Sequence, residues 1–391
     1  MNEPNAPPGT LIKIVGGDDI GGVRSCELAF THYLRASGVR VLGLILGEGK
    51  TTGRYQEAFD QSVVVACSLG SFGAGKLDRI RGVLANELAS YNVAQHSIRQ
   101  LTPFIQGIKP IGIAVRRSYF LKVAGLLSRR FDAPGYWHMC DAVRDPFARA
   151  YYRSLLGRYG ICPIGNSRYT IRTLLGEDSG RELFIYPGYW SDRIASRPST
   201  DQLRRTLGIS KCQAVFAMVS RLVAEKAVDV VLEAFLRSTA FHSGSHLVVA
   251  GGPIDTDFVH RIRDRAQTKG RGRVHFLGEV DDVSSVYGLA DVVINGRRNA
   301  EPFGITIVES LAAGKPVLAY RKGGPEETIV DGETGWLIDT PTFESYLGGL
   351  ERVWGDRRTW KYMGEAAAQS GQAYSAAVQT RSYIQLIARG P

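Results

Sequence analysis

Two stretches of this chain repeat one order of events: a short apolar run, a turn, a helical pattern and a second apolar run. In the first, "LIKIV" (11–15) leads through "GGDDIGGV" into a helical pattern from Val23 to about Ser37 and then "VRVLGLIL" (39–46). In the second, "AVFAMVS" (214–220) leads into a helix over 226–237 and then "HLVVAGG" (246–252). A strand apolar along its whole length needs cover on both faces, and strands joined through a helix pair in parallel. Each stretch therefore predicts a doubly wound α/β domain, with ligands at the carboxyl ends of its strands.

The rest of the chain extends both patterns. Further strands are expected at "SVVVA" (62–66), "GYWHMC" (135–140), "GICPIG" (160–165) and "ELFIYPG" (182–188), with helices over 146–157 and 167–175. Residues 67–135 yield little beyond helices near 77–89 and 118–130. The polar run "YWSDRIASRPSTD" after Pro187-Gly188 reads as a linker. Beyond it, helices over 256–269 and 282–289 alternate with "VHFLG" (274–278), "ADVVIN" (290–295), "PVLAY" (316–320) and "GWLI" (335–338). The expected division is a first Rossmann-like domain over 1–190, a second over 200–360, and an amphipathic C-terminal helix in 361–391 that packs back on the first. A chain of 391 residues is long enough for two such cores.

Composition narrows the partners. The net charge of +10 suits solubility or attraction to anionic ligands or a membrane surface, but no Lys/Arg block interleaved with aromatics points to nucleic acid. Cys26, Cys67, Cys140, Cys162 and Cys212 lack metal or redox spacing and read as reduced, mostly buried thiols of a cytoplasmic protein. The opening "MNEPNAPPGT" is unlike a secretory signal, and no run of about 18 apolar residues predicts a membrane span.

Chemistry concentrates in the second half. In "NAEPFGITIVESLAAGKPVLAYRKGG" (299–324), Glu301 follows a strand, Gly304 begins a helix and Glu309 lies inside it. Ile305, Val308, Leu311 and Ala312 are expected to face the sheet. The unpaired N–H groups of a helix start suit a phosphate, and the two acids would stand ~8–10 Å apart along the axis. Carboxylates accept from hydroxyls, so the pair reads as a clamp for a nucleotide sugar, with a sugar on one side and a ribose on the other. Arg221 follows a strand and Lys226 begins a helix at the same sheet edge, where two cations can neutralise a leaving diphosphate. Gly251 in "GGP" and Leu277 and Val280 in "FLGEV" offer backbone groups for a base.

These residues carry a resemblance. Arg221, Lys226, "FLGEV", the acid pair of "EPFGITIVE" and "GGPEETIVDGETGWLI" (323–338) resemble the donor-binding domain of the retaining glycosyltransferases of family 4. That family has the GT-B fold, two Rossmann-like domains facing across a cleft. The resemblance implies transfer of a hexose-type sugar from a nucleoside diphosphate to an acceptor hydroxyl, without metal or cofactor. It places donor contacts at Arg221, Lys226, Glu301, Phe303, Gly304, Ile305 and Glu309, and beside the N-terminal Gly21, Gly22 and Val23. His138 falls where the family often carries a histidine facing the donor sugar, although a histidine on an apolar strand is otherwise a core residue. The acceptor could be a glycan, a lipid-linked molecule or a small molecule, with peripheral association at the inner membrane face. Asn295-Gly296, Ser220 and Ala227 depart from the family's usual Pro-Ser, Gly and Gly, and residues 50–135 match nothing in it. Rival readings are a nucleotide-sugar epimerase or phosphorylase on the same fold, or a catalytically silent nucleotide-sugar-binding regulator.

Overall fold

The computed structural model describes residues 9–67, 69, 76–177, 180, 183–195 and 200–390. The leader up to Pro8 and positions 196–199 of the expected linker lie outside the described residues. The chain forms two compact units, Met1–Gly188 with Ala376–Pro391, and Tyr189–Ser375.

In the first unit, β1 (Thr10–Gly16), β2 (Arg40–Leu46), β3 (Gln61–Val65), β4 (Gly112–Val115), β5 (Gly135–His138) and β6 (Ile161–Ile164) form a parallel sheet in the order β3-β2-β1-β4-β5-β6. In the second, β7 (Val215–Val219), β8 (His246–Ala250), β9 (Val274–Gly278), β10 (Val292–Asn295), β11 (Val317–Tyr320) and β12 (Gly335–Ile338) form another, ordered β12-β11-β10-β7-β8-β9. Counted from its own first strand, each sheet runs 3-2-1-4-5-6. The winding therefore reverses between β1 and β4 in one unit and between β7 and β10 in the other, and crevices form at such points.

The two-residue period of a strand explains why these runs are apolar throughout. Ile12 and Ile14 pack in one layer with Leu42, Leu44, Ile113 and Val115, under the helices Lys76–Ile105 and Leu121–Phe131. Leu11 and Val15 pack in the opposite layer with Val41 and Ile45. That layer is covered by Phe30 and Leu34 of the helix Gly21–Ala36 and by Tyr383, Ile384 and Ile387 of the helix Ala376–Arg389.

Several expectations need correction. β4, "GIAV", was not anticipated, and the helix expected near 77–89 continues to Ile105. Of the segment "ELFIYPG", Glu182 lies outside the described residues, and 183–188 make one isolated bridge, Gly165 to Phe184, rather than a strand, because Pro187 and the short apolar run cannot sustain a ladder. Residues 361–389 are not one helix: Trp360–Gly371 belongs to the second unit, a 3₁₀ turn follows at Gln372–Tyr374, and Ala376–Arg389 belongs to the first. All five cysteines are free thiols, but only Cys26 is buried; Cys212 is exposed and the others are half-buried. Among the described residues no helix is long and apolar enough to cross a membrane.

Candidate donor site

The second unit's winding reversal gathers most of the expected residues. β7 ends at Val219 and Arg221 lies just past it, exposed to solvent. Lys226 does not begin a helix, as expected, but closes a 3₁₀ turn, Ala224–Lys226, and the helix starts at Val228. The two are separated by Ala227 at φ 49°, ψ 32°. This left-handed conformation explains why a glycine is the usual occupant, and alanine holds it at a cost of roughly 1 kcal/mol.

The facing loop leaves β10 at Asn295 and reaches Glu301, whose backbone is pinned on both sides. Glu301 N–H donates to the Lys322 carbonyl at 3.1 Å, and Gly324 N–H donates to the Glu301 carbonyl at 2.9 Å. The buried Glu301 carboxylate accepts from Lys226 Nζ at 2.6 Å and from Arg297 Nη1 at 3.3 Å, both on Oε2. Burial alone would raise the carboxyl, but Lys226 and Arg297 outweigh it and hold Glu301 below its ordinary value. Arg221 adds to this field, so three cations surround one acid.

Gly304 precedes the helix Ile305–Ala312 at φ 90°, and a Cβ there would stand 2.7 Å from Ile307 Cδ1. Only glycine fits. The buried face of this helix is Ile307, Val308, Ser310 and Leu311, whereas Ile305 and Ala312, expected to face the sheet, are half-buried. Val308 and Leu311 are buried as expected, and Ile307 and Ser310 complete the face. Phe303 is buried, with its ring 6.2 Å from that of Tyr374. Glu309 Oε2 accepts from the buried Tyr287 hydroxyl at 2.8 Å. Burial pushes Glu309 up to about 7, against the Tyr287 hydrogen bond and the more distant charge of Arg193. Gly251 follows β8 and donates its N–H to the Gly278 carbonyl at 2.7 Å, while Leu277 lies in β9 and Val280 just beyond, both half-buried.

The first unit holds the remaining expected residues. Gly21 and Gly22 open the helix Gly21–Ala36, after a loop tied down by Asp19. The Asp19 carboxylate accepts from Gly16 N–H at 3.2 Å, from the Tyr55 hydroxyl at 3.1 Å and from Arg117 Nε at 2.7 Å. His138 ends β5 as an interior residue. Its Nε2–H donates to the Ile185 carbonyl at 2.9 Å, and its ring lies nearly parallel to that of Tyr383, centroids 6.1 Å apart. Burial, with Arg116 nearby, pushes His138 down to about 3 and keeps it neutral.

Sequence reasoning missed two charged groups. Arg297 and Glu225 belong to the Glu301 network; Arg297 stands four positions before Glu301 in a loop, where that spacing carries no helical meaning, and Glu225 is joined to them only by the adjacency of β7 and β10. The other is Lys13–Glu27–Arg116 in the first unit, where both cations ion-pair with Glu27 in the interior. A lysine inside "LIKIV" was the available signal, since a lysine in a buried strand requires an acid.

Residues 199–370 match the family described as glycosyl transferases group 1. A lipopolysaccharide 1,2-N-acetylglucosaminetransferase of Salmonella typhimurium is 28% identical over 199 residues, covering 49% of this chain and 52% of that protein. A D-inositol 3-phosphate glycosyltransferase of Corynebacterium diphtheriae is 34% identical over 177 residues, covering 44% and 41%. The chain thus spans about half the length of these curated relatives. Among solved structures, Anabaena HepE, in complex with UDP and glucose, matches 97% of this chain and 100% of its own with a TM-score of 0.79 at 19% identity. Sucrose-phosphate synthase from Thermosynechococcus elongatus matches 97% and 98% with a TM-score of 0.73 at 17% identity. At such identities the likeness is one of fold, the GT-B fold.

Proposed function

We propose, from the match of residues 199–370 to the group 1 glycosyl transferases, that this protein is a retaining, family 4 type, metal-independent enzyme. It moves a hexose-type sugar from a nucleoside diphosphate to an acceptor hydroxyl. The observation that carries this reading is the Lys226–Glu301 pair beside Arg221 and the Gly304 helix start, at the carboxyl ends of β7 and β10. That place suits an anionic leaving group, and the acids suit hydroxyls. The UDP-bound HepE and the sugar-transferring relatives support the substrate class.

In this reading Glu309 accepts from a ribose hydroxyl and Glu301 from a sugar hydroxyl. The bond between the anomeric carbon and the diphosphate oxygen breaks, with the electron pair passing to the diphosphate. Arg221, Lys226 and the N–H groups after Gly304 stabilise that charge as it develops. The acceptor oxygen bonds the anomeric carbon from the same face, and its proton passes to the departing diphosphate. His138 has its Nε2 engaged by Ile185 and is given no step. Localisation is proposed as cytoplasmic, with lipid-linked, glycan and small-molecule acceptors all compatible. Incubation with UDP-, GDP- and dTDP-sugars, followed by NMR of the products, tests the assignment. Transfer or slow donor hydrolysis with retained anomeric configuration is expected. C2 inversion, or binding without turnover across the panel with acceptors present, overturns it.

A further inference from the structure

Lys226 and Arg297 share one carboxylate, but they are held differently. Arg297 is fixed at several points: Nη1 on Glu301, Nη2 on Glu225 Oε1 at 2.7 Å, Nε on Asn299 Oδ1 at 2.9 Å. Its backbone N–H donates to the Tyr346 hydroxyl at 2.9 Å, and the residue is 5% exposed. Lys226 has one recorded acceptor among the described residues, Glu301 Oε2, and its side chain keeps 15% of its exposure. One cation is locked by its fork and the other hangs on a flexible stem.

We propose that Arg297 is a positioning residue that keeps Glu301 compensated and oriented, so that Lys226 can leave this carboxylate for an anionic ligand. The inference rests on the donor-site reading above. While Glu301 neutralises it, the Lys226 ammonium offers a diphosphate its spare N–H groups but little net charge, and withdrawing it from a buried carboxylate with no second cation is strongly unfavourable. Arg297 removes that obstacle. Glu225 and Asn299 keep the guanidinium from following the lysine outward.

The groups facing Glu301 are Lys226 and Arg221 from the segment after β7, Arg297 from its own loop, and Tyr346 from the helix Phe343–Gly355. Without Arg297, departure of Lys226 leaves Glu301 with the more distant Arg221, and proton uptake by Glu301 becomes coupled to ligand binding. Affinity in such a variant improves as pH falls.

The test is calorimetric titration of UDP, GDP and dTDP into wild type, R297Q and the double variant R297Q/E301Q at pH 6 and pH 8. For the nucleotide that wild type binds, R297Q is expected to bind on the order of tenfold more weakly at pH 8. The wild-type to R297Q ratio of affinities should shrink at pH 6, and the double variant should recover much of the loss. Titration of Glu309 and of the nucleotide is common to both proteins and cancels in that ratio. Equal loss at both pH values with no recovery in the double variant, or no loss at all, overturns the inference. If R297Q does not fold, R297K, which keeps the charge but not the fork, is expected to show the same trend at smaller amplitude; a wild-type profile overturns it. Wild type binding none of the three nucleotides instead overturns the donor-site reading, and the inference with it.

Discussion

In the first unit Glu27 lies between Lys13 and Arg116; in the second Glu301 lies between Lys226 and Arg297. Each carboxylate sits at its own sheet's winding reversal, and each arginine follows the equivalent fourth strand, β4 or β10. The difference is where the lysine stands. Lys13 is part of β1 and sealed in the interior, whereas Lys226 lies beyond the end of β7 on a 3₁₀ turn with part of its side chain in solvent. A charge trio anchored in a strand and buried throughout is suited to holding the unit together. The same trio moved past the strand end becomes available to a ligand.

The largest effect should come from breaking the sealed trio. Glu27→Ala leaves two buried cations without their acid, and the first unit should lose about 3–5 kcal/mol, read by chemical denaturation. Lys13 and Arg116 hold Glu27 down to about 2 against the upward push of burial. A carboxylate depressed in the fold stabilises above its unfolded pKa, so this contribution should fade as pH drops from about 4.5 toward 2. Activity lost without loss of stability would erase the contrast.

Lys226→Ala or Arg221→Ala should do the reverse, lowering transfer on the order of 100-fold with a thermal midpoint near that of wild type. Wild-type turnover in both would remove the electrostatic role of this loop.

His138→Ala comes next. Losing a packed ring and leaving the Ile185 carbonyl unpaired should destabilise by about 2 kcal/mol, with turnover per folded molecule retained. Because His138 is depressed to about 3, its stabilisation is present above pH 6.5 and recedes as acid is added below that, a dependence the variant should lack. Lost turnover at an unchanged melting temperature would instead give His138 a place in the chemistry.

Glu309 sharpens the comparison from the ligand side. A carboxyl raised to about 7 destabilises the free fold as pH climbs from about 4.5 through 7, so Glu309→Gln should melt slightly higher than wild type at pH 8. Its nucleotide affinity should fall, while wild-type affinity should rise with pH across about 7. A variant that binds as wild type does would break the ribose assignment. The smallest effect belongs to Ala227→Gly, which releases a left-handed alanine at the entropic cost of glycine and should stabilise by about 1 kcal/mol or less.

Much of this was legible because buried parallel strands leave unmistakable apolar runs, such as "LIKIV" and "HLVVA". β4 escaped because four residues framed by Pro110 and two arginines are too few to establish a period. The Lys76–Ile105 helix was cut short because its later turns are polar and Pro103 sits in its last turn. At the candidate site, local spacing singles out Glu301, Gly304 and Glu309, which the loop and helix after β10 carry. Arg297 and Glu225 stand 72 positions apart and meet only through the pairing of β7 with β10. His138 reads alike as a surface or an interior residue until the Ile185 carbonyl and Tyr383 are placed around it.

The helix Ala376–Arg389 gives the first unit an unusual schedule during translation. Residues up to Gly188 leave the ribosome before the second unit, yet the hydrophobic layer around Phe30 and Tyr136 lacks Tyr383, Ile384 and Ile387 until Tyr189–Ser375 has been made. At ~5–20 residues per second, the roughly 190 residues in between leave that surface uncovered for some ten seconds or more. Of the two units, the one begun first is completed second. A nascent chain halted before residue 376 should therefore be a better client for chaperones that bind exposed apolar surface than one extended past residue 389.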